Sequence, residues 1–320
     1  MSISKFQDKL IAKLKKSDLS DTTITNYMKM LRIIYTHITG KPHIDMSSLT
    51  FLKDKDKVIK VLYDNYEKTS VKTYLATILK ILNISGIRYS KLYKLYTEEF
   101  LKLRSDLETT SNDKTHKQKE NWVSMDALRD VQRRYKEDVD EFKNKDDITM
   151  REYNDLLSYL IVSLYLDAKP ERSENYFNME MVKSMKDTTD DDTNYFVDDK
   201  CVFIFNKYKT ASSDPHRGEP IKISPALKKV IDLYLQFRPT NAKCFVAKYN
   251  GACFNSSPDW TRRVQQAFGK YLDGKKISSS MMRNIYFTEK YKKSSNEKEA
   301  DAREMKTSVK MIDKVYTKKN

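Results

Sequence analysis

Residues 108–121, ETTSNDKTHKQKEN, hold no aliphatic side chain and no Phe, Tyr or Trp, and the run ends at Trp122. A hydrophobic core cannot pass through such a stretch, so it divides the chain into two pieces that each fold around their own apolar residues. The division predicts a domain over 1–107, a linker over 108–121 and a second domain over 122–320. The length of 320 residues agrees, because a single core seldom grows beyond about 250–300 residues.

Before the break the pattern is helical throughout. Phe6, Leu10, Ile11 and Leu14 share one face; Ile24, Tyr27, Met28, Leu31, Tyr35 and Ile38 share a second, behind the capping cluster SDTT. Val71, Tyr74, Leu75, Ile78 and Leu82 follow Thr69 and Ser70, and Leu92, Tyr96, Phe100, Leu103 and Leu107 form the last stripe. These stripes predict a compact helical bundle. Lysines occupy the opposite faces, which either solvates them or lays them along a phosphate backbone.

After the break the pattern is mixed. YNDLLSYLIVSLYLDA, 153–168, is apolar nearly all round and predicts a central buried helix. CVFIF, 201–205, and PIKIS, 220–224, are short β candidates joined by a long polar hairpin connection that contains Lys209 and His216. Ser224-Pro225 and Ser257-Pro258 are N-cap and first-turn pairs that start two further helices. The expected fold is therefore mainly α with a small antiparallel β-sheet.

Charge narrows the function classes. There are 60 Lys and Arg against 45 Asp and Glu, a formal net charge of +15. Such an excess favours nucleic acid, because neutralising phosphates releases their counterions, although an AT-rich coding sequence also enriches lysine. No apolar run approaches the roughly 18 residues of a membrane span, so no membrane partner is expected. No G-x-G-x-x-G or Walker-type loop appears, which leaves nucleotide binding without support. Cys201, Cys244 and Cys253 have neither an even count nor C-x-x-C spacing, and they read as reduced, buried thiols of an intracellular protein.

Three cations and a phenol stand in distinctive places. Arg172 follows Pro170, just after the buried helix, where the chain must turn back to the core; its guanidinium should be partly enclosed, with Glu174 or a phosphate oxygen as anionic partner. Lys209 sits in the hairpin connection and Arg283 in SSSMMRNIYFTEKY, a later helix. Tyr316 shares a helical face with Val309 and Ile312, so spacing alone reads it as a core residue.

Their order along the chain resembles the tyrosine recombinase (phage integrase) superfamily over about residues 122–320. PERSENYFNM resembles the family's first arginine box, with Arg172 at its arginine. YKT resembles the hairpin lysine motif, with Lys209 at the lysine, and SSSMMRNIYFTEKY resembles the H-x-x-R box, with Arg283 at the arginine. MKTSVKMIDKVYTKK resembles the final box, with Tyr316 at the nucleophile. Two positions depart: Ser280 and Thr307 stand where the family places its two histidines, the second sometimes a tryptophan. His37, His43, His116 and His216 lie elsewhere in sequence; His216, in the hairpin connection, could approach the site, but its setting reads first as a solvated loop histidine. Divergent virus- and mobile-element-encoded members are similarly loose at the two positions.

The resemblance implies a helical core-binding domain followed by a catalytic domain that cuts and rejoins double-stranded DNA through a 3′-phosphotyrosyl bond, with no metal, ATP or other cofactor. Arg172 and Arg283 would hold the scissile phosphate, Tyr316 would attack it, and Lys209 would protonate the leaving 5′-oxygen. It also implies a homo-tetramer on DNA, a monomer or weak oligomer when free, and a compartment where DNA is accessible: cytoplasm, nucleus or virion. A polar stretch at 291–306 reads as either a hinge that delivers Tyr316 or a surface loop. Two alternatives remain, a type IB topoisomerase and a catalytically inactive architectural protein of the same fold.

Overall fold

The structure, a computed structural model, describes residues 4–17, 19–86, 89–109, 113–291 and 298–317. The chain forms two compact units, Met1–Ser111 and Asn112–Asn320.

The first unit is helical: α1 (Lys5–Lys15), α2 (Asp21–Thr39), α3 (Lys55–Asn65), α4 (Lys68–Ser85) and α5 (Ser90–Thr109). Ser4 and Ser20 cap α1 and α2, their hydroxyls accepting from the amides of Gln7 and Thr23. Gly40 ends α2 in the left-handed region, at φ 68°, and its amide donates to the carbonyl of Thr36. Leu14, Leu31, Leu75 and Ile78 are fully buried at the centre. The sequence pattern passes over α3, of which Val58 and Leu62 are fully buried while Ile59 and Val61 pack against the core from its edge.

The second unit contains α6 (His116–Asn121), α7 (Met125–Val139), α8 (Met150–Leu166), α9 (Ser173–Tyr176), β1 (Glu180–Val182), β2 (Tyr195–Val197), β3 (Val202–Ile204), β4 (Pro220–Lys222), α10 (Pro225–Phe237), α11 (Ser257–Gly269), α12 (Ser279–Lys290), α13 (Lys298–Glu304) and α14 (Val309–Met311), followed by a π turn over Ile312–Tyr316. Part of the polar stretch expected to be linker is thus a short helix, α6, whose Thr115 and Gln118 cap each other. Every residue of α8 from Leu156 to Leu166 is buried, with α7, α10 and α11 packed around it. Tyr135 of α7 donates from its hydroxyl to the carbonyl of Ala267 on α11 at 2.9 Å, across this core.

The sheet has order β1-β2-β3-β4. β2, β3 and β4 pair antiparallel, while β1 joins β2 in parallel, so the sheet is mixed. β3 and β4 coincide with the two strands expected from sequence; β1 and β2 were not legible there. Ser224 caps α10 as expected, but α11 is capped one residue earlier than the Ser-Pro pair suggested, by Ser256.

The cysteine expectation is corrected. Cys244 and Cys253 form a disulfide, with Cα atoms 5.8 Å apart, and Cys201 alone is free and only partly buried. A tight turn brings the pair together: Ala247 bridges Cys253, and the amide of Lys248 donates to the carbonyl of Ala252 at 2.9 Å. Gly251 makes this turn at φ 82°, where a Cβ would lie 2.2 Å from the side-chain oxygen of Asn241. The thiols are therefore not a sign of a reduced compartment. Among the described residues no helix is long and apolar enough to cross a membrane.

Candidate active site

Arg172 is set by the end of α8. That helix stops at Leu166, where Asp167 takes hydrogen bonds from Arg129 at 2.6 Å and Gln132 at 2.5 Å, fixing the start of the turn. Glu171 follows Pro170 into the interior, and Arg172 is the N-cap residue of α9. Its guanidinium is half-buried and donates from Nη1 to the carbonyl of Lys306 at 3.5 Å. Glu174 is exposed, and among the described residues Arg172 makes no ion pair with it.

Arg283 is 1% exposed on α12. Its Nη1 donates to the carbonyl of Pro170 at 2.8 Å and its Nη2 to that of Met305 at 3.4 Å, while Nε is buried without a partner. A buried cation held only by carbonyl dipoles is poorly compensated and attracts negative charge. The nearest acid, Glu171, is itself 4% exposed, and burial raises its pKa despite the positive charges of Lys306, Arg283 and Arg172.

Tyr316 packs its ring against this cation. It closes the π turn, its carbonyl accepts from the hydroxyl of Thr288 on α12 at 3.1 Å, and its ring stacks on Phe287 with centroids 5.2 Å apart. The Arg283 guanidinium lies 4.9 Å from the Tyr316 ring centroid. Burial alone would push the phenol upward; the charges of Arg283 and then Arg172 outweigh it and lower the pKa below the ordinary tyrosine value. Two arginines far apart in sequence thus act on one phenol.

Lys209 is exposed on the β3–β4 connection, beside a cavity of about 520 Å³ that it lines with Arg172, His216, Arg303, Lys306 and Thr307. One carbonyl links these pieces. That of Lys306 accepts from Arg172 and also, at 3.3 Å, from the hydroxyl of Thr210, next to Lys209. Lys306 turns the chain at φ 50°, and its ammonium lies 5.0 Å from both the Phe205 and Tyr208 rings.

The two substituted positions behave differently. Thr307 is half-buried, lines the cavity, and leaves its hydroxyl oxygen buried without a partner. Ser280 is exposed on the first turn of α12 and is not part of the cavity wall. Its neighbour Ser279 is the buried one, 2.8 Å from the hydroxyl of Ser173 and 2.6 Å from that of Tyr165. Of the stretch read as hinge or loop, 292–297 lie outside the described residues and the rest includes α13.

No family model matches the chain, and no curated protein matches it by sequence. Among solved structures it is similar to one titled the crystal structure of XerA recombinase, at 13% identity and a TM-score of 0.41, over 99% of this chain and 94% of that one.

Chemically, the arrangement presents two guanidinium forks and a phenol that ionises more readily than an ordinary tyrosine, next to a cavity wide enough for a phosphate group. The cavity wall does not include Arg283 or Tyr316. Carbonyls of Pro170, Met305 and Lys306 occupy the donor edges of the arginines. A phosphate bound by both would displace the carbonyls of Met305 and Lys306, which lie in the segment joining α13 to α14. Sequence reasoning did not single out Glu171 or Lys306: the first is one of many acids, and the second matters through a backbone turn that its residue type does not announce.

Proposed function

We propose that this chain is a site-specific DNA recombinase or integrase, cutting and rejoining strands through a 3′-phosphotyrosyl intermediate. The observation that carries this reading is the Arg283 guanidinium 4.9 Å from the Tyr316 ring, with Arg172 held on the Lys306 carbonyl, one residue from the Met305 carbonyl that Arg283 binds. Transesterification at phosphorus needs a nucleophile and neutralisation of the charge that grows on two nonbridging oxygens, and these three side chains can divide those tasks.

In this mechanism the Tyr316 oxygen, having lost its proton to water, attacks phosphorus. The bond to the 5′-oxygen breaks, and Lys209, on the β3–β4 connection, donates a proton to it. Arg172 and Arg283 exchange their carbonyl partners for the nonbridging oxygens, a planar match that lysine does not offer. The phosphotyrosyl bond keeps the energy of the cut for ligation to another strand. Action on duplex DNA as a tetramer, by an enzyme of viral or mobile-element origin, is part of the same proposal.

The test is covalent capture. Nicked duplexes from a randomised pool, built so that the fragment 3′ of the cut diffuses away, should become joined to the wild-type protein and not to Tyr316→Phe. Failure of the wild type to form an adduct with any pool member would favour the second reading, an inactive DNA-binding protein of this fold, for which the burial of Arg283 and Tyr316 speaks. Relaxation of plasmid without sequence preference would favour a topoisomerase.

A further inference from the structure

We propose that His216, backed by Glu219, is a second proton donor to the leaving 5′-oxygen, acting beside Lys209; this rests on the strand-transfer reading above. His216 and Lys209 lie on the same connection between β3 and β4, and both line the cavity that Arg172 and Thr307 enter. The other three histidines, His37, His43 and His116, belong to α2, to a short 3-10 turn and to α6.

The imidazole is held rather than free. Its Nδ1 is 2.9 Å from Oε1 of Glu219, a pairing in which the carboxylate accepts the Nδ1 proton and leaves Nε2 as the nitrogen that gains or loses one. The backbone around it is pinned as well. The His216 amide donates to Asp214 Oδ1 at 2.9 Å, the Glu219 amide to the His216 carbonyl at 3.2 Å, and the Gly218 amide to the Phe205 carbonyl at 3.2 Å. Arg217 Nε donates to the carbonyl of Asn206 at 2.8 Å. Gly218 is required there: at φ 79° a Cβ would lie 2.9 Å from Oδ1 of Asn206. This much anchoring fixes the direction of a side chain that sequence alone would leave in a solvated loop.

A carboxylate-oriented imidazole opening on a cationic cavity suits reversible proton transfer. In cleavage the Tyr316 oxygen–phosphorus bond forms, the phosphorus–5′-oxygen bond breaks, and the proton on Nε2 passes to the 5′-oxygen. In ligation the neutral Nε2 takes the proton back from the attacking 5′-hydroxyl. A ring nitrogen that gives its proton in one direction can take it back in the other. Asp214, Lys209, Arg172, Arg303 and Lys306 are the other charged groups around the cavity.

A duplex with sulfur in place of the bridging 5′-oxygen separates proton donation from every other role, because a thiolate departs without a proton. Using a sequence captured by the wild-type protein, His216→Gln should slow single-turnover adduct formation on the oxygen-linked substrate by about tenfold or more. On the sulfur-linked substrate it should react within about twofold of wild type, and Glu219→Gln should show the same selective rescue to a smaller degree. Equal rates of His216→Gln and wild type on the oxygen-linked DNA overturn the proposal. So does an equal defect on both substrates in a variant that melts like wild type, or in Glu219→Gln should His216→Gln not fold. A wild-type protein that forms no adduct on either substrate overturns the strand-transfer reading itself, a distinguishable outcome.

Discussion

The guanidinium of Arg283 sits 4.9 Å from the ring centroid of Tyr316, and the positive charges of Arg283 and then Arg172 lower the pKa of that phenol. A buried phenol ordinarily resists ionisation; here two cations reverse that tendency. In the proposed strand transfer, activation of Tyr316 can therefore come from charge rather than from a neighbouring base, which bears directly on a chain with serine at 280 and threonine at 307.

The phenol should accordingly ionise below the ordinary tyrosine value of about 10. The difference in absorbance near 295 nm between wild type and Tyr316→Phe isolates this group during a pH titration. Its midpoint should move up in Arg172→Ala, because one of the stabilising charges is gone. Since the folded-state pKa is depressed, the phenolate's contribution to stability is present at high pH and is lost as pH falls through that midpoint. Adduct formation at neutral pH should drop by about 10²–10³ in the same variant, the usual loss for one oxyanion-type donor. A midpoint unchanged by removing Arg172 would refute the charge-activation account.

A second prediction concerns what holds the arginines in register. Trp260 Nε1 donates to the Tyr165 hydroxyl at 3.0 Å, Tyr165 and Ser279 lie 2.6 Å apart, and Ser279 and Ser173 lie 2.8 Å apart. Ser173 adjoins Arg172 and Ser279 belongs to the helix of Arg283. Tyr165→Phe leaves the Trp260 donor buried without an acceptor, a loss of about 1–3 kcal/mol. Denaturant unfolding should show that loss, and adduct formation should slow without disappearing, because Arg172 and Arg283 keep their own hydrogen bonds to the carbonyls of Lys306 and Pro170.

How much of this is legible in sequence follows from the range of the forces involved. The all-round apolar run of α8 and the Ser224-Pro225 start of α10 are local signals and read directly. α3 is not, with just Val58 and Leu62 buried, and neither is β2, whose three residues are all buried and so show no alternation. Arg172, Lys209, Arg283 and Tyr316 can be picked out by their order, but the carbonyl that ties Arg172 to Thr210, beside Lys209, belongs to the Lys306 turn at φ 50°, in a residue type that rarely adopts it. The Cys244–Cys253 pair was misread because C-x8-C spacing carries no signal until the Gly251 turn is known.

The disulfide yields a third prediction. Thiol titration of the denatured, unreduced protein should find one free cysteine, Cys201, and three after reduction. Closing a loop of sequence separation 9 is worth about 2–3 kcal/mol by chain entropy, so paired Cys244→Ser and Cys253→Ser changes should lower stability by roughly that amount. Wild type unfolded in reductant should match the double variant. Three titratable thiols before reduction would show that the pair is open.

The last prediction concerns Asp301 on α13, the helix that leads into the Met305 and Lys306 carbonyls over the arginines. Asp301 is 3% exposed; Lys169 approaches it at 2.8 Å, and Lys290 and the Tyr291 hydroxyl also bind it. Burial would raise its pKa, but the hydrogen bonds from Lys169, Lys290 and Tyr291 outweigh that and hold the carboxyl below the usual range. Asp301→Asn leaves two ammonium groups facing each other without their shared anion and should cost about 3 kcal/mol, the common loss when one partner of a buried pair is removed. With a depressed folded-state pKa, the wild-type advantage is complete above the unfolded value near 4 and disappears as pH falls through the lower folded value. Melting of wild type and Asp301→Asn should therefore differ by a constant amount from pH 5 to 8 and converge below about pH 4. The variant should also loosen the carbonyl lid: if Met305 and Lys306 restrain Arg283 and Arg172, a residue-specific probe such as hydrogen exchange should report faster opening of 298–306, and unchanged exchange there would separate the ion cluster from control of the site.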